Sequence, residues 1–383
     1  MSNPNDYLHH DVHVASSARD QAAACGDLIR VLRREAVSYV ILADGQGSGI
    51  QAAIAAELHA GRLHSALEQG RDLGQAFAAT VAVLAGQRGR DRMWAAVNIA
   101  RVRGDGSVTV LSYDAPPAIL WADGRAMVLP RSPLPAGQDL VHEARYRLRA
   151  GEHLLLVSDG LTEVGLGGPD GPWGIEGLCT AIDQHDRASP ETLPETLVGL
   201  AGLRAHRAGT GDDMSAALIS CRPGIVVEVL SGPPSRRADA PRVVADFLAA
   251  PGIKVICGAS TAAMVAEQMG QRLEVLQQAG GLAPPPSRLP GITLVCEGVV
   301  TLNQVLNVID EDNQAFEHRD AVSDLHHLLR TADRIRFRHG PGRRSDADSL
   351  DFRRQHILAR PLVLERLAER LRNQGKLVTL LRH

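Results

Sequence analysis

The sequence is poor in aromatic residues and in cysteine. Phe, Trp and Tyr make up 3% of its 383 residues, whereas hydrophobic residues as a whole make up 44%. We therefore expect a core built from Ala, Leu and Val. The five cysteines are odd in number, widely spaced and never form a Cys-x-x-Cys pair. This argues against a disulfide framework or a zinc site and predicts buried free thiols in a reducing cytoplasm.

An excess of charge and long apolar runs are also lacking. The formal net charge is -3 and no long basic run is present, so nucleic acid is not an expected partner. No apolar run reaches about 18 residues and no signal peptide is recognisable, so we expect neither a membrane span nor export. The length is too great for one typical domain and predicts two.

One stretch organises the first half of the chain. The aliphatic run from Val37 to Ala43 ends in Asp44-Gly45, and glycines at positions 47 and 49 follow before an alanine-rich run with helical spacing. This pattern predicts a buried strand that carries one carboxylate at its tip. The glycines keep the neighbouring backbone accessible, because they have no Cβ.

Two further stretches repeat this arrangement. The run His153 to Val157 ends in Ser158-Asp159-Gly160, and Gly211-Asp212-Asp213 precedes the apolar run Met214 to Ile219. A single Asp-Gly pair is typical of a plain turn. Three carboxylates at strand ends favour convergence on one hard-metal site, because Mg²⁺ and Mn²⁺ prefer oxygen ligands.

In this order, the three motifs resemble the metal-dependent Ser/Thr protein phosphatases of the type 2C superfamily, and in particular their stage II sporulation protein E branch. The motifs are DGQGSG at 44–49, SDGLTE at 158–163 and GDDMS at 211–215, and the resemblance covers about residues 11–222. Cys25-Gly26-Asp27 falls where this branch has Ser-Gly-Asp, so it departs at the cysteine and keeps the aspartate.

The resemblance implies a role for each carboxylate in binding two Mn²⁺ or Mg²⁺ ions. Asp44 would bridge both ions, and the carbonyl of Gly45 would bind one of them. Asp159 and Asp212 would hold the other ion. On this reading Asp44, Asp159 and Asp212 are the catalytic residues.

The resemblance also implies supporting roles near these ligands. Asp27 would lie behind the ligands or hold a water of a metal ion, and Asp213 would support the metal site. Arg19 is the basic residue in the region where the family holds the phosphate. Two divalent ions can activate a water for in-line attack on phosphorus without a covalent intermediate. The implied substrate is phosphoserine or phosphothreonine in a protein, for example an anti-sigma-factor antagonist.

Apolar periodicity outlines the fold of this half. It predicts helices at 51–67 and 73–84, a meander of short strands from 94 to 129, and a second helical pair at 174–184 and 190–206. Helical pairs outside the strands predict an α-β-β-α sandwich with antiparallel sheets. The glycine- and proline-rich stretch 165–177 is predicted as a loop beside the site, where the family has a flap.

After Arg222-Pro223-Gly224 strands and helices alternate. This rhythm predicts a smaller α/β domain over residues 224–383 with a parallel sheet. Its strand Lys254 to Cys257 runs into Gly258-Ala259-Ser260-Thr261 and a helix. Backbone N–H groups and the helix dipole at such a turn can bind an anion, so a small ligand is one interpretation. A plain helix cap by Ser or Thr is the other.

Two further patterns mark the second domain. Interleaved acids around a basic cluster favour a solvated face over an acidic partner; the cluster is Arg334, Arg336, Arg338, Arg343 and Arg344. Leucines at helical spacing predict a helix that faces the core, with a homodimer seam as the alternative; they are Leu362, Leu364, Leu367 and Leu371.

The sequence as a whole predicts a cytoplasmic protein phosphatase that uses Mn²⁺ or Mg²⁺ and is regulated by its C-terminal domain. A different class stays open, in which a catalytically weak phosphatase fold is a binding module and the C-terminal domain senses a ligand. A third hypothesis makes the C-terminal domain an enzyme acting on a small phosphorylated ligand. Retention of Asp27, Asp44, Asp159 and Asp212 argues against the binding module.

Overall fold

The structure is a computed structural model of the chain. It describes residues 7–19, 24–34, 37–87, 93–136, 139–168, 171–208, 211–275, 286–312, 320–340 and 357–383. These residues form two units, one of Leu8–Pro223 and one of Gly224–His383 with Tyr7. No helix in the described ranges is long and apolar enough to cross a membrane.

The first unit alternates between antiparallel strands and helical pairs. Its strands are β1 (Leu8–Ser17), β2 (Asp27–Arg34), β3 (Val37–Gly45), β4 (Ala95–Arg103), β5 (Ser107–Tyr113), β6 (Ile119–Ala122), β7 (Arg125–Val128), β8 (Ser132–Ala136), β9 (Asp139–Arg147), β10 (His153–Val157) and β11 (Met214–Pro223). Its helices are α1 (Ile50–Glu68), α2 (Leu73–Gln87), α3 (Asp159–Thr162), α4 (Gly174–Asp183) and α5 (Leu193–Ala208).

Two antiparallel sheets form the centre of this unit. One has the order β1-β11-β10-β6-β7 and the other the order β2-β3-β4-β5-β9-β8. Aliphatic side chains such as Val40, Leu42, Leu154 and Ile219 fill the space between the sheets. Helices α1 and α2 pack on the outer face of the second sheet, and α4 and α5 on that of the first. The predicted α-β-β-α sandwich is therefore confirmed.

Some local features differ from the sequence pattern. The sequence has no clear strand pattern at β8 and β9. Pro133 and Pro135 interrupt β8, and β9 is largely polar. Proline is tolerated there since β8 lies at the edge of its sheet. In the predicted flap, Gly165–Gly168 forms turns and helix α4 begins at Gly174, while residues 169 and 170 lie outside the described residues.

The second unit alternates strands and helices as predicted. Its strands are β12 (Val226–Ser231), β13 (Ile253–Cys257), β14 (Glu274–Val275), β15 (Ser287–Arg288), β16 (Leu294–Cys296), β17 (Arg334–His339) and β18 (Leu377–Arg382). Its helices are α6 (Ala240–Ala249), α7 (Ala259–Met269), α8 (Val299–Val308), α9 (Ala321–Thr331) and α10 (Arg360–Asn373).

These strands form a sheet with the order β14-β15-β16-β13-β12-β17-β18. Five neighbouring strands of this sheet are parallel to one another: β16, β13, β12, β17 and β18. Helices α8, α9 and α10 pack on one face of the sheet, and α6 and α7 pack on the other. The leucine stripe belongs to this core, because Leu364, Leu367 and Leu371 are fully buried, whereas Leu362 is 41% exposed.

The described part of the basic cluster is not a solvated face, so that interpretation is wrong for Arg334, Arg336 and Arg338. Arg334, Arg336 and Arg338 lie on β17, between β12 and β18. Arg336 and Arg338 both contact Glu228 on β12, which has 0% exposure. Arg343 and Arg344 lie outside the described residues. The prediction of buried thiols holds for Cys221, Cys257 and Cys296, while Cys25 and Cys179 are half-buried.

Candidate metal centre

The first two carboxylates of the centre come from one strand pair. Strands β2 and β3 pair antiparallel, and their register places Asp27 directly opposite Asp44. Strand β3 is held in the middle of the sandwich because Val40, Ile41 and Leu42 are buried on both of its faces. Asp44 therefore stands at the end of a rigid strand, one residue before Gly45 closes it.

The other sheet supplies Asp159 and Asp212. Strand β10 ends at Val157, which pairs with Ala216 on β11. The residue after β10 and the residues before β11 consequently lie at the same edge of the sheet. Two hydrogen bonds hold this edge together: the amide of Ser158 donates to the carbonyl of Ser215 (3.0 Å), and the amide of Ser215 donates to the Ser158 hydroxyl (2.9 Å).

The four carboxylates lie close enough to affect one another. Burial raises the pKa of Asp44 far above its usual range, and the charges of Asp27, Asp159 and Asp212 raise it further. The structure thus brings together the four carboxylates that the motifs single out. Neighbouring carboxylates repel one another when they are ionised. Such a cluster is therefore stabilised by protons or by bound cations.

Asp27 is the most buried member of the group, with 7% exposure. Neither of its carboxylate oxygens accepts a hydrogen bond of ordinary geometry from a described residue. Burial raises its pKa, although the nearby hydroxyls of Ser158 and Ser215 oppose this. A buried carboxylate with so little hydrogen bonding is costly unless it takes a proton or binds a cation, and this makes Asp27 suitable as part of a metal site.

Glycines allow close contacts around these carboxylates. A Cβ on Gly45 would lie 2.0 Å from the carbonyl oxygen of Ala52 in α1, and one on Gly160 would lie 2.0 Å from the carbonyl oxygen of Asp213. Neither position has room for a larger residue. The carboxylate-bearing strand end and the first turns of α1 are therefore in direct contact.

The carboxylate of Asp213 connects two backbone segments by hydrogen bonds. Its Oδ1 accepts a hydrogen bond from the amide of Arg19 (2.8 Å), and its Oδ2 accepts one from the amide of Gly26 (2.8 Å). Its side chain therefore fixes the segments on either side of residues 20–23 against the start of β11. A role as metal ligand stays a prediction, while these contacts favour a positioning role.

Arg19 lies beside the centre, as the phosphate-binding prediction requires. Burial raises the pKa of Asp212, and Asp159 and Asp213 contribute to the increase, whereas the Arg19 guanidinium lowers it. Arg19 is exposed, so its side chain can reach a ligand from solvent. Its role in binding phosphate stays a prediction.

A cavity of about 170 Å³ opens at this edge of the sandwich. It is lined by Asp159, Gly160, Glu163, Val164, Leu166, Gly211 and Asp212. Glu163 was not among the predicted site residues, although it is the last residue of the SDGLTE motif. Burial raises its pKa, and the charges of Asp159 and Asp212 raise it further.

The donor set fits hard divalent cations. The four carboxylates that meet at this edge offer oxygen, which Mg²⁺ and Mn²⁺ prefer. Within the part of the chain that the structure describes, no three His, Cys, Asp or Glu side chains already surround a single ion position. This is compatible with ions that keep several water ligands and bind through few carboxylates each.

The predicted anion site of the second unit uses its polar groups internally. The amides of Gly258 and Ala259 donate to the carbonyls of Cys296 (2.9 Å) and Glu297 (3.2 Å). The hydroxyl of Thr261 accepts from the amide of Gly232 (2.9 Å), while Ser260 is exposed. No side chain caps α7. The turn is thus packed against its neighbours, and its role as a ligand site stays a prediction.

The sandwich and the carboxylate cluster at its edge are the arrangement that the type 2C resemblance implies. Residues 35–222 match the family model of stage II sporulation protein E (SpoIIE). The resemblance that the three motifs predict is therefore confirmed for the first unit. This similarity supports a phosphatase function. No curated protein sequence matches the chain.

Several solved structures are similar to the chain. One contains the RsbU and RsbW domains of Rv1364c from Mycobacterium tuberculosis, with 17% identity over 64% of this chain and 70% of that chain, and a TM-score of 0.48. Another is the PP2C phosphatase domain with a fragment of the regulatory domain of SpoIIE from Bacillus subtilis (20% identity, 55% and 63% coverage, TM-score 0.49). A third is the SiaA-PP2C domain of Pseudomonas aeruginosa (16%, 55% and 85%, 0.44).

Proposed function

We propose that the chain is a divalent-metal-dependent protein phosphatase that hydrolyses phosphoserine and phosphothreonine. The observation that carries this proposal is the position of Asp44, whose carboxyl group lies among those of Asp27, Asp159 and Asp212. A cluster of acids at a cavity, in a domain of a phosphatase family, is suited to hold the cations that phosphoryl transfer requires.

Two Mn²⁺ or Mg²⁺ ions are the proposed cofactors. Asp44 and the carbonyl of Gly45 would hold them together with Asp159 and Asp212, and Asp27 would complete the set. When bound, such ions lower the pKa of a water and neutralise the charge of the phosphoryl oxygens. At neutral pH their binding would also release the proton that the raised pKa of Asp44 retains.

The remaining residues of the site would position the substrate. Asp213 fixes the backbone of Arg19 through its amide, which keeps the Arg19 side chain next to Asp212. The guanidinium can then bind a phosphoryl oxygen by a charge-assisted hydrogen bond. Glu163, Val164 and Leu166 line the same cavity and would contact the residue that carries the phosphate.

The test is hydrolysis of p-nitrophenyl phosphate and of a phosphoserine peptide by the whole chain, with Mn²⁺, with Mg²⁺ and with EDTA. We expect turnover of both substrates with metal and none with EDTA. Equal turnover in EDTA would exclude the metal mechanism. No turnover with any divalent metal, together with retained binding of the phosphopeptide, would instead support the binding module.

The second unit is proposed to regulate the first or to recruit its substrate. The family resemblance makes a phosphorylated anti-sigma-factor antagonist the first protein substrate to test. Comparing turnover by the whole chain with that by residues 1–223 measures the influence of the second unit. Equal rates on a protein substrate would contradict a regulatory role.

A further inference from the structure

A second cavity of the first unit lies away from the metal centre. Its volume is about 240 Å³, and the start of α2 and strands β4, β5, β8 and β9 surround it. On β4, Ala96 pairs with Asp44, whereas Arg101, five residues further along the strand, lines the cavity. At about 3.3 Å per residue, the two positions are roughly 16 Å apart. The cavity is therefore a separate feature.

Two arginines and a threonine form a row across the wall of this cavity. The register pairs Arg101 on β4 with Thr109 on β5, and Thr109 with Arg145 on β9. Side chains that face each other across neighbouring strands project from the same face of a sheet, about 5 Å apart. Nη2 of Arg101 donates a hydrogen bond to the hydroxyl of Thr109 (3.0 Å). The row thus places the hydroxyl-bearing residue Thr109 between two arginine residues.

The charges in the row are only partly balanced. Arg145 pairs with Glu143 (3.0 Å). Asp72, the other acid of the lining, accepts hydrogen bonds from the amides of Gly74 (2.8 Å) and Gln75 (3.4 Å). Arg101 is partly buried and forms no ion pair with a described carboxylate. One cation therefore faces the cavity without a counter-ion among the described residues.

The remaining surface of the cavity is apolar. Phe77, Leu111 and Val141 are buried beneath it, and Leu134 on β8 is 45% exposed at its rim. Cavities for drug-sized ligands have about 300–1,000 Å³, so this one suits a smaller molecule. The adjacent edge strand β8 contains Pro133 and Pro135, which lack the amide protons that an added peptide strand would need.

We propose that this cavity binds a small amphipathic anion, with an aliphatic body and one carboxylate or phosphate head. The body lies on Phe77, Leu111, Val141 and Leu134. The head accepts hydrogen bonds from the guanidinium of Arg101 and the hydroxyl of Thr109, with Arg145 as a further cation at the edge. This proposal is independent of the proposed phosphatase function.

The test is isothermal titration calorimetry of the full chain with octanoate, octyl phosphate and octan-1-ol, each below its micelle-forming concentration. We expect one or both anions to bind, and octan-1-ol to bind at least about tenfold more weakly, because a charge-assisted hydrogen bond contributes on that scale. The two anions also show which head group the site prefers.

Variants locate the binding. Arg101→Met should weaken anion binding about tenfold or more. The matched control is Arg103→Met, because Arg103 lies on the same face of the same strand but is exposed and outside the lining. Thr109→Val should lower the affinity as well, which covers the case in which Arg101→Met does not fold. Binding by the Asp44→Asn variant should equal wild type, and this separates the cavity from the metal centre.

Three outcomes would overturn the proposal. The first is no heat of binding from either anion at millimolar concentration. The second is equal affinity for octan-1-ol and the anions, which would mean an apolar cavity without head-group recognition. The third is loss of binding in Asp44→Asn with wild-type binding in Arg101→Met, which would assign the anion to the metal centre.

Discussion

The two units each contain a buried acid, and the two acids differ in what surrounds them. Glu228 of the second unit has 0% exposure, and its two oxygens accept hydrogen bonds from Arg336 (2.9 Å) and Arg338 (3.0 Å). Asp27 of the first unit is 7% exposed, has no hydrogen-bond donor of ordinary geometry among the described residues, and lies next to other carboxylates.

This difference separates a structural carboxylate from one that needs a ligand. A buried charge is tolerated when the fold supplies its counter-charge and its hydrogen bonds. Where the fold supplies no counter-charge, the acid keeps a proton or takes a cation from solution. Glu228 therefore has its counter-charge within the chain, whereas the proposed metal ions would supply the counter-charge of the group around Asp27 and Asp44.

The largest effect is expected for Asp44→Asn. The change removes the carboxylate that lies among the other three acids and that is proposed to hold the metal ions. Turnover of p-nitrophenyl phosphate with Mn²⁺ should therefore fall by about 10³-fold or more. The fold should remain, because the substitution relieves repulsion. Asp246→Asn, an exposed position on α6, is the matched control and should keep wild-type turnover. Wild-type activity in Asp44→Asn would refute the assignment of the centre.

Glu228→Gln should destabilise the second unit by about 3 kcal/mol, because it leaves two largely buried arginines without their counter-charge. Trp94, Trp121 and Trp173 all lie in the first unit, and the sequence has 3 tryptophans. Tryptophan fluorescence therefore reports the first unit alone, and far-ultraviolet circular dichroism reports both. For Glu228→Gln we therefore expect an earlier unfolding transition than wild type in the dichroism signal. The tryptophan fluorescence of the variant should show no such shift. Glu267→Gln, an exposed position, should shift neither signal.

Above about pH 7, where histidines are neutral in both the folded and the unfolded chain, the stability of the metal-free first unit should fall as the pH rises. The raised pKa of Asp44 means that the folded chain keeps a proton which the unfolded chain loses above about pH 4. Since the folded state binds more protons, this contribution to the free energy of unfolding is complete below that pH and is lost as the pH passes through the raised pKa.

Urea unfolding in EDTA, followed by tryptophan fluorescence at several pH values, measures this trend. Mn²⁺ at about a hundredfold excess over its dissociation constant should add roughly 2.7 kcal/mol at neutral pH. Asp44→Asn should flatten the pH trend in EDTA and reduce the gain from Mn²⁺. A stability that rises with pH above about pH 7 in EDTA would contradict an uncompensated acid cluster.

The smallest effect is expected for Glu163→Gln. Glu163 lines the cavity, and its pKa is raised by burial and by the charges of Asp159 and Asp212, so its own charge adds to that of the centre. Removing this charge should weaken Mn²⁺ binding about tenfold. A Mn²⁺ titration of activity measures the change, with Glu195→Gln in the exposed part of α5 as control. An unchanged titration would place Glu163 outside the centre.

Local sequence patterns predict the site residues that lie at strand ends. Asp44 and Asp159 each follow an aliphatic run, and Asp212 precedes one, so their strands and their common edge follow from short-range patterns. The contact of Arg336 and Arg338 with Glu228 depends on the pairing of β17 with β12, more than 100 residues apart in the chain. No local pattern could reveal that pairing.

Polar contacts between segments that are distant in the chain could not be predicted from the sequence either. Asp213 looks like part of a metal motif, but its contacts to the amides of Arg19 and Gly26 arise only when β1, β2 and β11 meet. Glu163 sits inside a recognised motif, yet its contribution depends on the cavity that α3 and the following turn form. Strand β8 was missed because prolines are compatible with a strand only at a sheet edge.

The pairing of β1 with β11 has a consequence for how this unit can be combined with others. Leu8 at its first residue pairs with Pro223 at its last, so the chain enters and leaves the sandwich at adjacent positions. A domain with neighbouring ends can be placed within another polypeptide, or have its ends joined and be reopened at a surface turn, without disturbing its interior. The phosphatase sandwich is in this sense a portable module.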